Sequence, residues 1–144
     1  MGKKKIFISF DYENDKDVKG CLEYQSKSDV VSVAVSDKSI NKAIDEKWKS
    51  EARRRISVCN YVIFICGAET SNAAGVSAEM SIVKDLKKPY FLLCGRNRNP
   101  VQKPHGSLKS DEVYKWTSKN LKLLLSGNKD EAVTIDISRV DKKY

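Results

Sequence analysis

The stretch Tyr61 to Tyr90, YVIFICGAETSNAAGVSAEMSIVKDLKKPY, decides the fold. Its opening run, Tyr61 to Cys66, has the length and composition of a strand buried on both faces. Gly67 to Gly75 is small and polar and reads as a loop. Val76 to Lys87 has helical spacing, and Pro89 ends that helix before a second apolar run, Tyr90 to Cys94. Strand, loop, helix, strand is the unit of a parallel α/β sheet.

One residue in this unit stands out. Glu79, Ile82, Val83 and Leu86 are spaced i, i+3, i+4, i+7, which puts a carboxylate on the apolar stripe of the helix. The helix follows the carboxyl end of a strand, the end at which open α/β sheets bind ligands. Two readings stay open here. Glu79 is an acid near a helix N-terminus, favoured by the helix dipole by roughly 0.3–1 kcal/mol. Or it is a partly desolvated carboxylate held over a ligand, with chemistry to do.

Outward from this unit, the chain repeats the alternation. Lys5 to Phe10, KIFISF, is a first strand, apolar on both faces apart from Ser9, and therefore central. Asp11 to Asp15 breaks it, and Asn14 or Asp15 caps a helix reaching about Tyr24. Val30 to Val35 is a second strand. Ile40 to Val58 is a long helix with Ile40, Ala43, Ile44, Trp48, Ala52 and Ile56 as its inner stripe. Arg53 to Arg55 fall at its end, where the helix dipole favours cations, and this reading is preferred to a phosphate site.

Gly95 to Glu112 is polar and holds two of the three prolines. It is long for a loop in a compact domain, which points to function or mobility. His105 lies in it with no visible base or nucleophile partner. A helix at Ser118 to Ser126 closes on Gly127 as a C′ glycine, and Ala132 to Ile137 is read as a fifth strand.

Five strands alternating with four helices imply an α/β fold: a doubly wound, flavodoxin-like sheet of mostly parallel strands in the order 2-1-3-4-5, flanked by helices. With 144 residues the chain forms a single domain, residues 1–144. The assumed order places the switch point between strands one and three. Ser9, Phe10, Asp11, Tyr12 and Glu79 then converge there from distant parts of the sequence.

Composition narrows the function. A net charge of +8 favours anionic partners, but the lysines are spread along the chain, which argues for solvation rather than a nucleic-acid footprint. The four cysteines form no C-x-x-C pair and there is one histidine, so no metal site is expected. Cys66 and Cys94 read as small buried hydrophobes. No secretory signal or membrane span is visible, and a cytoplasmic location with reduced thiols is the expectation. There is no phosphate loop, no dinucleotide fingerprint and no nucleophile elbow. A receiver domain would want an Asp after strand three, where Cys66-Gly67 stands.

IFISFDYEND, Ile6 to Asp15, resembles the opening of TIR and TIR-like domains, a strand reading F-I-S-[YF] followed by an acidic loop. YVIFICGAETSNAAGVSAEMSIVKDLKKPYFLL resembles the family's third strand, its Ser/Thr-rich loop and the helix that carries its glutamate. Tyr114-Lys115-Trp116 with NLKLLL is similar to the C-terminal part of the bacterial subgroup that includes the TIR-like proteins of Thoeris anti-phage systems. The resemblance covers nearly the whole chain, through motifs that are individually loose but agree in order and spacing.

In catalytic TIR domains that glutamate acts on the ribose of NAD and cleaves the nicotinamide–ribose bond. The Thoeris type makes an ADP-ribose-derived signal that a partner effector senses. The resemblance thus implies Glu79 as the catalytic carboxylate and Ser9, Phe10, Asp11 and Tyr12 as lining of the NAD pocket. NAD is then a substrate rather than a cofactor. An oxocarbenium-like centre forms as nicotinamide leaves, and a nearby carboxylate stabilises it without a metal.

The sequence departs from the family at three points. Gly75 and Val76 stand where an aromatic commonly precedes the glutamate, Ala68 replaces a serine-type loop residue, and the segment after strand two is short. Two alternatives stay open: a non-catalytic TIR-like module that self-associates or binds an effector, and a nucleoside deoxyribosyltransferase-like enzyme, which also directs a glutamate at a sugar carbon.

Overall fold

A computed structural model of the chain describes residues 4–9, 30–35, 46–67, 74–94, 101–108 and 110–135. Five strands form one sheet: β1 (Lys4–Ser9), β2 (Val30–Val35), β3 (Tyr61–Cys66), β4 (Tyr90–Cys94) and β5 (Val113–Tyr114). The order is β2-β1-β3-β4-β5 and all four pairings are parallel. This is the doubly wound order expected from the alternation, with β1 in its interior.

Three α-helices cover the sheet among the described residues: α1 (Glu46–Ser57), α2 (Ala74–Leu86) and α3 (Ser118–Leu125). Strand side chains alternate between two cores. Phe7, Val62, Phe64, Cys66, Leu92 and Cys94 pack with Trp48, Ala52 and Ile56 of α1 and Val76, Met80 and Val83 of α2. Ile6, Ile8, Ile63, Ile65 and Leu93 pack with Leu121, Leu124 and Leu125 of α3 on the other face. Burial on both faces explains why these strands read as continuous apolar runs.

Local stereochemistry fixes the helix ends. Lys87 has φ 56°, and the N–H of Lys88 reaches Val83 O at 3.1 Å while that of Lys87 reaches Lys84 O at 3.2 Å. This is the six-to-one and five-to-two pattern of a left-handed C-cap, with Pro89 just beyond. Gly127, φ 86°, ends α3 in the same way, with Asn128 N–H on Leu123 O at 2.8 Å. Thr117 caps its start, its hydroxyl oxygen accepting from Asn120 N–H at 3.0 Å.

The fifth strand differs from expectation. Ala132 to Ile137 was expected to be strand five, but β5 is Val113–Tyr114, before α3. It pairs parallel to β4 through Leu92↔Val113 and Leu93↔Tyr114. Of the expected strand, the part up to Ile135 is described. It runs antiparallel outside β5 through a single bridge, Tyr114↔Thr134. Asn120 ties it down: Nδ2 donates to Lys115 O (2.7 Å) and Val133 O (2.8 Å), and Oδ1 accepts from Val133 N–H (3.0 Å). Two residues are too short to show a strand period, which is why β5 is invisible in the sequence.

Of the expected helix Ile40 to Val58, α1 is the described part. The helix expected to reach Tyr24 lies outside the described residues, as do Gly95 to Pro100. The rest of that long polar segment is pinned. Gln102 N–H donates to Gly67 O at 2.9 Å. Lys103, 3% exposed, donates from Nζ to Leu108 O (2.7 Å) and Asp111 O (3.0 Å). Asp111 Oδ2 accepts from Tyr90 Oη at 2.6 Å and from Leu108 N–H at 2.8 Å. Lys84 Nζ of α2 donates to Gly106 O at 2.8 Å. His105 is exposed on this loop. Among the described residues no helix is long and apolar enough to cross a membrane.

Candidate active site

Ser9 is the last residue of β1, and Glu79 is the sixth residue of α2. The strand order brings them together across 70 positions of sequence. Ser9 Oγ donates to Glu79 Oε1 at 2.6 Å. Both residues are buried, 0% and 1% exposed. The contact lies at the carboxyl end of β1, beside β3, the switch point of this sheet.

This placement separates Glu79 from a surface acid at a helix N-terminus. It lies beyond the first helical turn, where the dipole acts most strongly, and it is not on the surface. Its stripe partners Ile82 and Val83 are buried with it. Desolvation works against an ionised carboxylate there, and the short hydroxyl hydrogen bond works for it.

Glu79 also borders a concavity of about 210 Å³, lined by Phe7, Trp48, Glu51, Ala52, Arg55 and Glu79. Much of that volume is open to solvent, and its enclosed part has room for about one water. Its walls are two aromatic side chains, and charged groups of both signs stand around it.

The contribution of α1 was not foreseen. The inner stripe expected of this helix includes Trp48 and the run at its end includes Arg55, and neither pattern alone points to a site. Positions 48, 51, 52 and 55 are nonetheless spaced i, i+3, i+4, i+7, and that spacing was the available signal. Trp48 also stands near the position one turn before Glu79: a Cβ added at Gly75 would lie 3.9 Å from Trp48 Cζ2. The side-chain space that Gly75 leaves is therefore edged by an indole from a different helix.

The three arginines of α1 part company. Arg53 Nη1 pairs with Asp85 Oδ2 of α2 at 2.7 Å, an exposed ion pair of small worth. Arg54 is exposed, and Arg55 is half-buried at the concavity. Phe10, Asp11 and Tyr12 follow Ser9 directly in the chain and lie outside the described residues.

The described cysteines, Cys59, Cys66 and Cys94, are buried free thiols. Burial pushes the Cys59 thiol up, with the charges of Lys88 and Lys5 opposing it, which marks an unreactive thiol. It lies just before β3, at the opposite end of the sheet from Ser9.

Neither a known family model nor a curated protein matches the chain.

Proposed function

We propose that the chain is a TIR-like, NAD-processing enzyme that cleaves the nicotinamide–ribose bond, with Glu79 as its catalytic carboxylate. The observation that carries this reading is the 2.6 Å hydrogen bond from Ser9 to a buried Glu79 at the β1 end of the sheet. A hydroxyl given to Oε1 fixes the carboxylate's orientation while the surrounding apolar core keeps water from screening it.

The chemistry follows from the bond that breaks. The pair joining C1′ of the ribose to the pyridinium nitrogen leaves with the ring, so nicotinamide departs neutral. C1′ gains oxocarbenium character, and a carboxylate beside it stabilises the developing positive charge. Water then adds to C1′ and loses a proton to solvent, giving ADP-ribose. Attack by a nucleophile of the same molecule instead of water gives a cyclic product, again with one proton released. Phe7 and Trp48 line the space beside Glu79 and offer aromatic surface to the departing ring. The remainder of the substrate would lie against Phe10, Asp11 and Tyr12.

In this reading the product is a nucleotide signal sensed by a partner effector in anti-phage defence, and the enzyme works in the cytoplasm, alone or self-associated. The test is mass spectrometry of NAD incubated with purified protein, and with lysate of phage-infected cells that express it. Loss of NAD with a new ADP-ribose species supports the enzyme. NAD left intact in both settings by folded protein refutes it and favours a non-catalytic module. Turnover of free deoxynucleosides without NAD would select the deoxyribosyltransferase-like alternative.

A further inference from the structure

Cys66 and Cys94 are the last residues of β3 and β4, and the parallel register sets them directly opposite each other. Both belong to the sheet face covered by α1 and α2, where they are 0% and 1% exposed. Both are free thiols. Neighbouring strands run about 4.8 Å apart, and facing residues keep that spacing. Disulfides span Cα separations of roughly 4.4–6.8 Å, so the two backbones already stand within bonding range. The Cβ atoms must approach to about 3.8 Å, roughly an ångström closer than the sheet spacing. Each cysteine ends its strand and is followed in the chain by a glycine, Gly67 and Gly95, the residue type that takes up such a shift most easily.

We propose that Cys66 and Cys94 form an oxidative modification site, a dithiol that hydroperoxides convert to a cross-strand disulfide. The inference goes beyond the activity proposed for Glu79 and does not depend on it. Cys59 is excluded as a partner by position, since it lies before β3 with the length of that strand between it and Cys66.

The chemistry balances with one peroxide. The sulfur of one thiol attacks a peroxide oxygen, the O–O bond breaks, and a sulfenic acid and one water result. The second thiol then attacks that sulfur. The S–S bond forms, the S–O bond breaks, and the hydroxyl leaves with the thiol proton as a second water. Two thiols are oxidised and one peroxide is reduced to two waters. Burial makes the reaction slow, but peroxide is little larger than water, whereas bulky thiol reagents are kept out.

The chain between the two cysteines contains all of α2, with Glu79 near its middle. The bond closes that loop covalently, which restrains the unfolded chain and raises the melting temperature. In a reducing compartment the dithiol is the resting form, and thiol exchange reopens the link.

The experiment treats folded protein with hydrogen peroxide, alkylates the remaining thiols in denaturant, and maps the unreduced digest by mass spectrometry. The expected product is a peptide pair joined Cys66 to Cys94, about tenfold or more above any other pairing. It is accompanied by a melting temperature several degrees higher, which dithiothreitol returns to its starting value. The same treatment in urea, where the register is gone, scatters the links among the cysteines. Folded protein that keeps both thiols reduced, or carries them as separate sulfinic acids, overturns the inference. So does a Cys66–Cys94 link that forms as readily in urea as in folded protein, or a melting shift that persists in Cys94→Ala.

Discussion

Glu79 and Lys103 are both buried charges, 1% and 3% exposed, and they are used differently. Lys103 directs its ammonium at two carbonyls within eight residues of itself, Leu108 O and Asp111 O. Its charge closes the loop that carries it. Glu79 takes its hydroxyl from a strand 70 residues away and faces a concavity walled by a third element. The lesson is that burial of a charge does not by itself mark function. What separates the two is whether the partners are local backbone or distant side chains, and whether open space adjoins the group.

The contrast can be broken from the structural side first. Lys103→Met should strand two carbonyls and lower stability by about 2–4 kcal/mol in urea unfolding, since each unmet buried group costs roughly 1–3 kcal/mol. Activity per folded molecule should hold. An intact urea midpoint with altered NAD turnover would reverse the roles assigned to the two charges.

Ser9→Ala is a smaller test. It removes the hydroxyl that orients Glu79 but leaves the acid in place, and turnover should drop about tenfold, equivalent to ~1.4 kcal/mol. A rate unchanged by this substitution would show that Glu79 is held by other groups.

The smallest effect concerns the loop. Burial, with the hydrogen bond to Asp111 and that residue's charge adding to it, pushes the Tyr90 phenol well above its ordinary 10.0. The folded state keeps this proton where the unfolded chain has lost it, so the contribution is complete below pH 10 and declines as pH rises beyond it. Tyr90→Phe should flatten that alkaline decline in thermal melts while leaving the Ser9–Glu79 pair alone. An equally steep decline in the variant would remove Tyr90 from the explanation.

Much of the fold was legible because both faces of the sheet are covered. Apolar runs at Ile6 to Ile8 and Tyr61 to Cys66 leave little room for another reading, and Ser9 and Glu79 are conspicuous as the polar interruptions of apolar patterns. The edge of the sheet was not legible. Val113–Tyr114 has no period, and its cover by Ala132 to Ile135 depends on Asn120, whose carboxamide bonds carry no sequence signature. The α1 wall of the site escaped for a different reason. Arg53, Arg54 and Arg55 look equivalent as text, and their separation depends on what α2 places opposite Arg53. Lys103 likewise reads as an ordinary loop lysine until the carbonyls of Leu108 and Asp111 fold around it.

The most direct test of the central claim is to measure NAD turnover and melting temperature on one preparation of Glu79→Gln beside wild type. A positioned general acid–base or charge-stabilising group is typically worth about 10²–10⁴-fold in rate, and residues kept for activity are commonly held at a cost in stability. The account predicts abolished turnover at an undiminished melting temperature. A variant that still consumes NAD at the wild-type rate, or one that melts lower while wild type itself leaves NAD untouched, would contradict it and make Glu79 a structural charge like its counterpart Lys103.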